Sequence, residues 1–138
     1  MVVFTETISL KTKGNTDIFE ITPRVKEGLK KSLLTDGSAN LFVPGSTGAL
    51  TTLEYEPGLV EDIKEFFEKI IPPGNYEHNL RWGDGNGHSH VRAALLGPSL
   101  CVPFVSGELQ LGTWQQIVFI DFDNRARSRE IILQLIGE

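Results

Sequence analysis

The chain has 138 residues, a formal net charge of −5 and a sequence pI near 5.2. This acidic balance argues against a nucleic-acid-binding protein, which usually presents a basic face. No apolar run approaches the roughly 18 residues that a membrane-spanning helix needs. The length fits a single domain over residues 1–138 with a sizeable buried core.

The cysteine content and the N-terminal sequence both indicate the cellular compartment. Cys101 is the only cysteine, which excludes an internal disulfide and suits a reducing compartment. The opening segment, Met1-Val-Val-Phe-Thr-Glu, lacks the basic start and the cleavage site of a signal peptide. We therefore expect a cytoplasmic protein that binds neither nucleic acid nor a membrane.

The first half of the chain shows both strand and helix patterns. Residues 2–10 alternate with a period of two, which predicts a half-buried strand, although Glu6 interrupts its apolar face. Thr22-Pro23 predicts the start of a helix, with the hydroxyl at the N-cap and proline at the first helical position. The elements predicted here are strands at residues 2–10, 17–21, 40–43 and 49–55, a helix from residue 22 that ends at Asp36-Gly37, and a helix from Pro57 to Ile71.

The second half contains mainly strand patterns. Val91–Leu96 fits either a short helix or a strand, because six residues do not decide between them. Ser99–Phe104, Glu108–Leu111 and Gln115–Phe122 predict a β-meander, and Glu130–Ile136 predicts the last strand. Most connections are too short for a parallel crossover. The predicted fold class is therefore α+β, with a mainly antiparallel sheet and two principal helices packed on it.

All three histidines fall within residues 75–92, beside a loop rich in glycine. If this segment is extended, His88 and His90 project to the same side and can bind one cation, with His78 or Asp84 completing the shell. Alternatively, the three histidines are polar residues of a flexible surface or interface loop.

The Pro44-Gly45-Ser46-Thr47-Gly48 segment is dense in glycine and hydroxyl groups. Its backbone N–H groups and the hydroxyls of Ser46 and Thr47 suit an anion. It is not a phosphate-binding P-loop, because it lacks Gly-Lys-Ser/Thr and precedes a strand. From these residues alone, a simple turn is the preferred interpretation.

Residues 112–116, Gly-Thr-Trp-Gln-Gln, separate two predicted strands. Thr113 and Gln115 can bind a ligand or cap strand ends, and Trp114, if buried, needs a partner for its N–H. From these residues alone, the segment is interpreted as structural.

Three alternate arginines follow two aspartates near the C-terminus. Arg125, Arg127 and Arg129 suit phosphate or a carboxylate of a neighbouring chain. Local ion pairing with Asp121 and Asp123 is the simpler interpretation. Cys101, in Leu-Cys-Val-Pro, is interpreted as a small buried apolar residue.

The order of these motifs resembles the YjbQ-like family, some of whose members are described as secondary thiamine-phosphate synthases. The resemblance extends over essentially the whole chain, and Gly-Thr-Trp-Gln and the final Gly-Glu are its most specific marks. The segments that carry it are Asn75–His78, Asp84–His90, Leu95–Ser99, Gly112–Gln116 and Gln134–Glu138.

The resemblance implies an α+β sandwich that forms a compact homotrimer, with sites near subunit boundaries. Many relatives have a histidine where this chain has Gly45, and His88 would be the histidine that replaces it. The implied site comprises catalytic Glu54, Asp84 and Arg92; ligand-binding Ser46, Thr47, Asn86, Thr113, Trp114 and Gln115; and a divalent metal, expected to be zinc, on His78, His88 and His90.

The implied reaction joins an aminopyrimidine methyl diphosphate to a thiazole phosphate and expels pyrophosphate. Such a reaction needs cationic neutralisation of the leaving diphosphate and a surround that stabilises a developing carbocation. We expect these two effects to come from Arg92, a bound metal, magnesium that accompanies the substrate, and Trp114. The alternatives are a trimeric metal- or small-ligand-binding protein without this turnover, and a purely structural oligomer.

Overall fold

Two antiparallel sheets and four helices make up the fold in a computed structural model that describes residues 1–138. The predicted α+β class with antiparallel sheets is confirmed. The elements are β1 (Val2–Thr12), β2 (Asp17–Glu20), α1 (Thr22–Ser32), β3 (Gly37–Phe42), β4 (Gly48–Leu53), α2 (Pro57–Ile70), α3 (Glu77–Trp82), α4 (Gly87–Leu96), β5 (Ser99–Val105), β6 (Glu108–Leu109), β7 (Gln116–Asp121) and β8 (Arg127–Gly137).

The sheets have five and three strands, in the orders β1-β8-β3-β5-β6 and β2-β7-β4. The main core lies between them and includes Val25 and Leu29 of α1. A second apolar cluster lies on the other face of the three-stranded sheet, where Phe67 of α2 and Ala93 of α4 pack against β7. The three-stranded sheet is therefore covered on both faces.

The β7 strand explains where the predicted β-meander is wrong. β5 and β6 pair as a hairpin in the five-stranded sheet, but β7 lies at the centre of the other sheet. Its run from Ile117 to Asp121 is buried throughout. A strand with both faces covered has a continuous apolar sequence, and local spacing does not reveal its partners.

The outer face of the five-stranded sheet carries exposed apolar side chains. Phe42 pairs with Ile132 across β3 and β8, and the two are 47% and 36% exposed. Together with Leu100 and Cys101 of β5 they line a shallow depression of about 280 Å³. The prediction that Cys101 is buried is therefore wrong.

Both principal helices are present, but α1 ends at Ser32, before the predicted Asp36-Gly37, and its start differs in detail. Thr22 does not cap α1; its hydroxyl accepts a hydrogen bond from Ile117 N–H at 2.8 Å and so fastens the helix to β7. At α2, the carboxylate of Glu56 caps the N-terminus by accepting from Gly58 and Leu59 N–H. These two hydrogen bonds lower the pKa of Glu56.

Glu6 is paired and lies near an edge, as its position on an apolar strand face predicts. It belongs to β1, the edge strand of the five-stranded sheet, and its carboxylate lies 3.9 Å from the Lys31 ammonium of α1. None of the four helices has both the length and the apolar character needed to span a bilayer.

Candidate functional site

A pocket of about 360 Å³ lies between α4 and the Pro44–Gly48 loop. His90, Ala93 and Ala94 are three and four residues apart, so one face of α4 presents all three to the loop. The loop contributes Gly45, Ser46 and Gly48, and Pro98 closes one end. We call this cavity the His90 pocket. It brings together two regions that the sequence singles out, the histidine segment and the loop of Ser46.

His78 of α3 stacks on His90. Their ring centroids are 4.4 Å apart, with the planes inclined at 38°. Nδ1 of His78 is buried without a hydrogen-bond partner, although it lies 3.4 Å from Oδ1 of Asp84. The same carboxylate oxygen accepts from Asn86 N–H at 3.1 Å, which shapes the turn into α4. His78 therefore contacts both His90 and Asp84, two of the residues that the sequence analysis considers together with it.

His88 lies apart from this group. The expectation that His88 and His90 face the same way assumes an extended chain, whereas both belong to α4. At 100° per residue, positions two apart on a helix point about 200° apart. His88 is buried on the side of α4 that faces Tyr76. Burial, reinforced by the charge of Arg92, lowers the pKa of His88, and Glu68 opposes this only in part.

The metal-ligating side chains do not form a closed shell for a divalent ion. No group of three or more His, Cys, Asp and Glu side chains is placed to hold one. Zinc requires three or four converging donors. The arrangement therefore does not fit the predicted three-histidine shell, and zinc binding stays a prediction.

Arg92 is a structural residue in this chain, contrary to the expectation of a phosphate-binding one. Its side chain is 1% exposed. Nε donates to Ile71 O at 2.9 Å, and the terminal nitrogens donate to Thr16 Oγ1, Phe67 O and Glu68 Oε1. The guanidinium thus joins α4 to the C-terminal end of α2 and lies on the same side of α4 as His88, away from the His90 pocket.

Thr47 and Asn86 are occupied by a buried polar network rather than free for a ligand. Asp123, 1% exposed, accepts from Thr47 Oγ1 at 3.0 Å, Asn86 Nδ2 at 3.3 Å and Arg127 Nε at 3.1 Å. Burial raises the pKa of Asp123, but these hydrogen bonds and the charge of Arg127 lower it overall. One carboxylate therefore ties the Pro44–Gly48 loop to the start of α4, the two walls of the His90 pocket.

A second ion pair lies beside the first. Arg129 donates through Nε and Nη2 to both oxygens of Asp121, at 2.7 and 2.9 Å, and through Nη2 to Thr47 Oγ1 at 2.6 Å. Hydrogen bonding to Asp121 raises the pKa of Arg129, against the opposing effect of burial. Local pairing of the aspartates and arginines is thereby confirmed for Arg127 and Arg129.

The remaining predicted residues lie at the other end of the three-stranded sheet. Glu54 follows β4, whereas Gly48 of the His90 pocket begins it, about 17 Å away for six residues of strand. Residues 112–115 precede β7 at the same far end. Trp114 is 71% exposed, so it is not the buried structural side chain that the residues alone suggest. Within one chain, Glu54, Thr113, Trp114 and Gln115 are not brought to the His90 pocket.

Sequence reasoning missed the role of Asp123. The spacing shows aspartates near arginines, but nothing in it shows that one carboxylate reaches both Thr47 and Asn86, 76 and 37 residues away. The only available signal is that Phe122, between the two aspartates, continues an apolar run. This pattern places Asp121 and Asp123 at the edge of the core, where charges must be paired.

Comparisons with known proteins agree over the whole chain. The model of the family described as UPF0047 protein YjbQ-like matches residues 6–138. A UPF0047 protein from Archaeoglobus fulgidus is 41% identical over 130 residues, which are 94% of this chain and 98% of the relative. A UPF0047 protein from Methanothermobacter thermautotrophicus is 37% identical over 139 residues, covering 100% of this chain and 95% of the relative.

Solved structures give the same result for the fold. A YbjQ-like protein of unknown function from Sulfolobus solfataricus P2 superposes with a TM-score of 0.94 at 33% identity, covering 99% of both chains. A hypothetical protein from Aeropyrum pernix K1 superposes with a TM-score of 0.91 at 36% identity, covering 98% of this chain and 99% of that one. From the family model, the relatives and the shared fold, we conclude that this chain belongs to the UPF0047, YjbQ-like family.

Proposed function

We propose that the chain binds a small phosphorylated molecule in the His90 pocket and acts on it as a transferase of the thiamine-phosphate synthase type. The observation that best supports this proposal is the pocket itself, in which His90 on α4 faces the loop of Gly45 and Ser46. The reaction joins an aminopyrimidine methyl diphosphate to a thiazole phosphate and releases pyrophosphate. It is the reaction that the family resemblance implies.

The Pro44–Gly48 loop supports the binding of an anion. The backbone N–H groups of Gly45 and Ser46 donate to no acceptor within the chain, and the Ser46 side chain is exposed. Unpaired backbone N–H groups are donors that phosphate oxygens can accept from. A ring N–H of His90, with His78 stacked behind the ring, would donate to an oxygen of the leaving diphosphate.

The diphosphate would bring its own cation. Magnesium is commonly bound through substrate phosphates and only one or two protein carboxylates, so it does not need a closed protein shell. Arg92 has no part in this scheme because it is buried on the other side of α4. The histidines and the Pro44–Gly48 loop would contact the diphosphate instead.

We propose further that the chain is a cytoplasmic homotrimer in which a neighbouring copy completes the site. Glu54 and Trp114 lie at the far end of the three-stranded sheet, so they would reach a His90 pocket only in another copy. The exposed apolar face of the five-stranded sheet, which carries Phe42 and Ile132, is the surface we assign to the contact. Such uncovered patches are characteristic of interaction sites.

A binding protein without turnover is the second candidate. It is favoured by one observation: the lining of the His90 pocket contains no lysine or arginine, although the proposed reaction releases a highly charged diphosphate. In this case a small phosphorylated ligand would bind, and the two thiamine precursors would not react.

Both candidates are tested by incubating purified protein with the two precursors and magnesium, and measuring thiamine phosphate and pyrophosphate. His90→Ala is the site variant, and Arg81→Ala, which removes an exposed charge of α3, is the control. We expect product from the wild type and from Arg81→Ala, and a loss of about tenfold or more in His90→Ala. Equal trace product in all three samples would mean that the pocket does not carry the activity.

A further inference from the structure

We infer that Arg129 and the backbone of Gly45 and Ser46 form the subsite for a phosphoryl group of the ligand. This inference rests on the proposed function for the identity of the ligand, but its geometry stands without it. It gives to Arg129 the role that the sequence suggested for Arg92.

The unused donors of Arg129 are the first observation. Nε and Nη2 are engaged with Asp121 and Thr47, whereas Nη1 donates to no acceptor in the chain. The buried polar atoms without a partner are those of His78, His88 and Ser89, so Nη1 is in contact with solvent although its side chain is only 10% exposed. A guanidinium held by a buried carboxylate therefore presents one fixed nitrogen to the surface.

The position of that nitrogen is the second observation. A Cβ atom built on Gly45 would lie 3.1 Å from Nη1, closer than ordinary van der Waals contact. The absence of a side chain at this position therefore leaves Nη1 uncovered. Gly45 also lines the His90 pocket, and Pro44 beside it lines a polar cleft of about 270 Å³ with Ser128, Arg129 and Glu130. The Pro44–Gly48 loop therefore lines both the pocket and the cleft.

The charges around Arg129 set the kind of ligand. Asp121 and Asp123 offset Arg127 and Arg129, so this cluster has no net charge, and the carboxylate of Glu130 lies in the same cleft. Binding must therefore come from directed N–H donors rather than from an excess of positive charge. A tetrahedral phosphoryl group meets this requirement, because its oxygens can accept from donors that approach from different directions, here Nη1 and the unpaired N–H groups of the loop.

Pre-organisation distinguishes Arg129 from the exposed arginines nearby. Its hydrogen bonds to Asp121 and Thr47 fix the guanidinium before any ligand arrives, so little side-chain entropy is lost on binding. Arg125 is exposed, and its side chain makes no hydrogen bond or ion pair in the chain. Arg125 and Arg129 can therefore be compared in an experiment. They carry the same charge, but only the Arg129 side chain is held in place by hydrogen bonds.

The test is a calorimetric titration of the full chain with sodium pyrophosphate and with orthophosphate, beside the amide NMR shifts of Gly45 and Ser46. Arg129→Lys keeps a charge to pair with Asp121 but removes Nη1. We expect its pyrophosphate affinity to fall about tenfold, and that of Arg125→Ala to stay within about twofold of wild type. The Gly45 and Ser46 amide signals should shift in wild type on titration.

If Arg129→Lys does not fold, Ser46→Asp replaces it, because this exposed position tolerates a carboxylate that would compete for the same donors. The inference is overturned if wild type binds neither anion, if a folded Arg129→Lys or Ser46→Asp binds like wild type, or if Arg125→Ala loses as much affinity. The precursors are assayed on the same samples. Arg129-dependent pyrophosphate binding without turnover would keep the subsite and refute the proposed enzyme activity.

Discussion

Nε of Arg92 donates to the carbonyl of Ile71 at 2.9 Å, just beyond the C-terminus of α2. A helix end has unpaired carbonyl groups, and here a guanidinium from α4 donates to that of Ile71 and adds a second donor to that of Phe67, which also accepts from Ile71 N–H at 3.0 Å. The arginine thus fixes the angle between the two helices that cover the three-stranded sheet.

We therefore predict that Arg92→Ala destabilises the fold. It removes the donor to the Ile71 carbonyl and the donor to the buried Thr16 hydroxyl, and each such loss costs on the order of 1–3 kcal/mol, so we expect a total of about 3 kcal/mol. Denaturant unfolding measures the change, with Arg81→Ala as the exposed control. If Arg92→Ala unfolds like wild type but binds pyrophosphate much more weakly, Arg92 is a ligand residue after all.

His88 should make stability depend on pH. Its folded pKa is lowered by burial and by Arg92, so the unfolded chain binds its proton first as the pH falls. The stabilisation is complete above the unfolded value of about 6.5 and is lost as the pH falls towards the folded pKa. The slope in this window is at most about 1.4 kcal/mol per pH unit.

His88→Gln removes the imidazole that takes up this proton and keeps a polar side chain of similar length. Thermal unfolding of both proteins between pH 7.5 and pH 5 provides the measurement. We expect the unfolding temperature of the variant to depend less on pH than that of the wild type. Parallel profiles would assign the pH dependence to other groups.

The metal prediction is tested by elemental analysis of protein purified with and without chelator. The chain as it stands offers His78, His90 and Asp84 but no closed shell, so we expect less than one tightly held ion per chain. His90→Ala should remove any bound ion. A full equivalent of zinc in wild type would show that the stacked rings rearrange around it, and unchanged content in His90→Ala would place the ion elsewhere.

The proposed trimer is tested on the outer face of the five-stranded sheet. Ile132→Glu places a charge among apolar side chains that the contact would desolvate, which strongly disfavours association. Light scattering should give a trimer for wild type and a monomer for the variant. Lys69→Gln on α2 changes the charge by the same amount outside this face and should remain trimeric. A wild type that is monomeric at micromolar concentration would refute the proposal.

The sequence was most informative where a pattern is local. The period of two in β1 and the helical stripe of α2 gave both elements within two residues of their bounds. The segment around His88 was misjudged because its glycines suggest a loop, whereas Gly87 begins a helix and reverses the direction of one histidine. The burial of Arg92 could not be predicted for a similar reason. Only the tertiary contact with α2 determines whether its guanidinium faces solvent or donates to backbone carbonyls.

The pairing of β8 has a consequence for the order in which the protein folds during synthesis. β8 lies between β1 and β3, and its register joins Val2 to Gly137. On the ribosome, β1 is made before the other strands of its sheet, and its partner β8 is made after them. The five-stranded sheet cannot close until β8 has emerged, and contacts so distant in sequence form slowly. Until then β1 has no partner strand, so the nascent protein is most vulnerable to misassociation before β8 pairs with it.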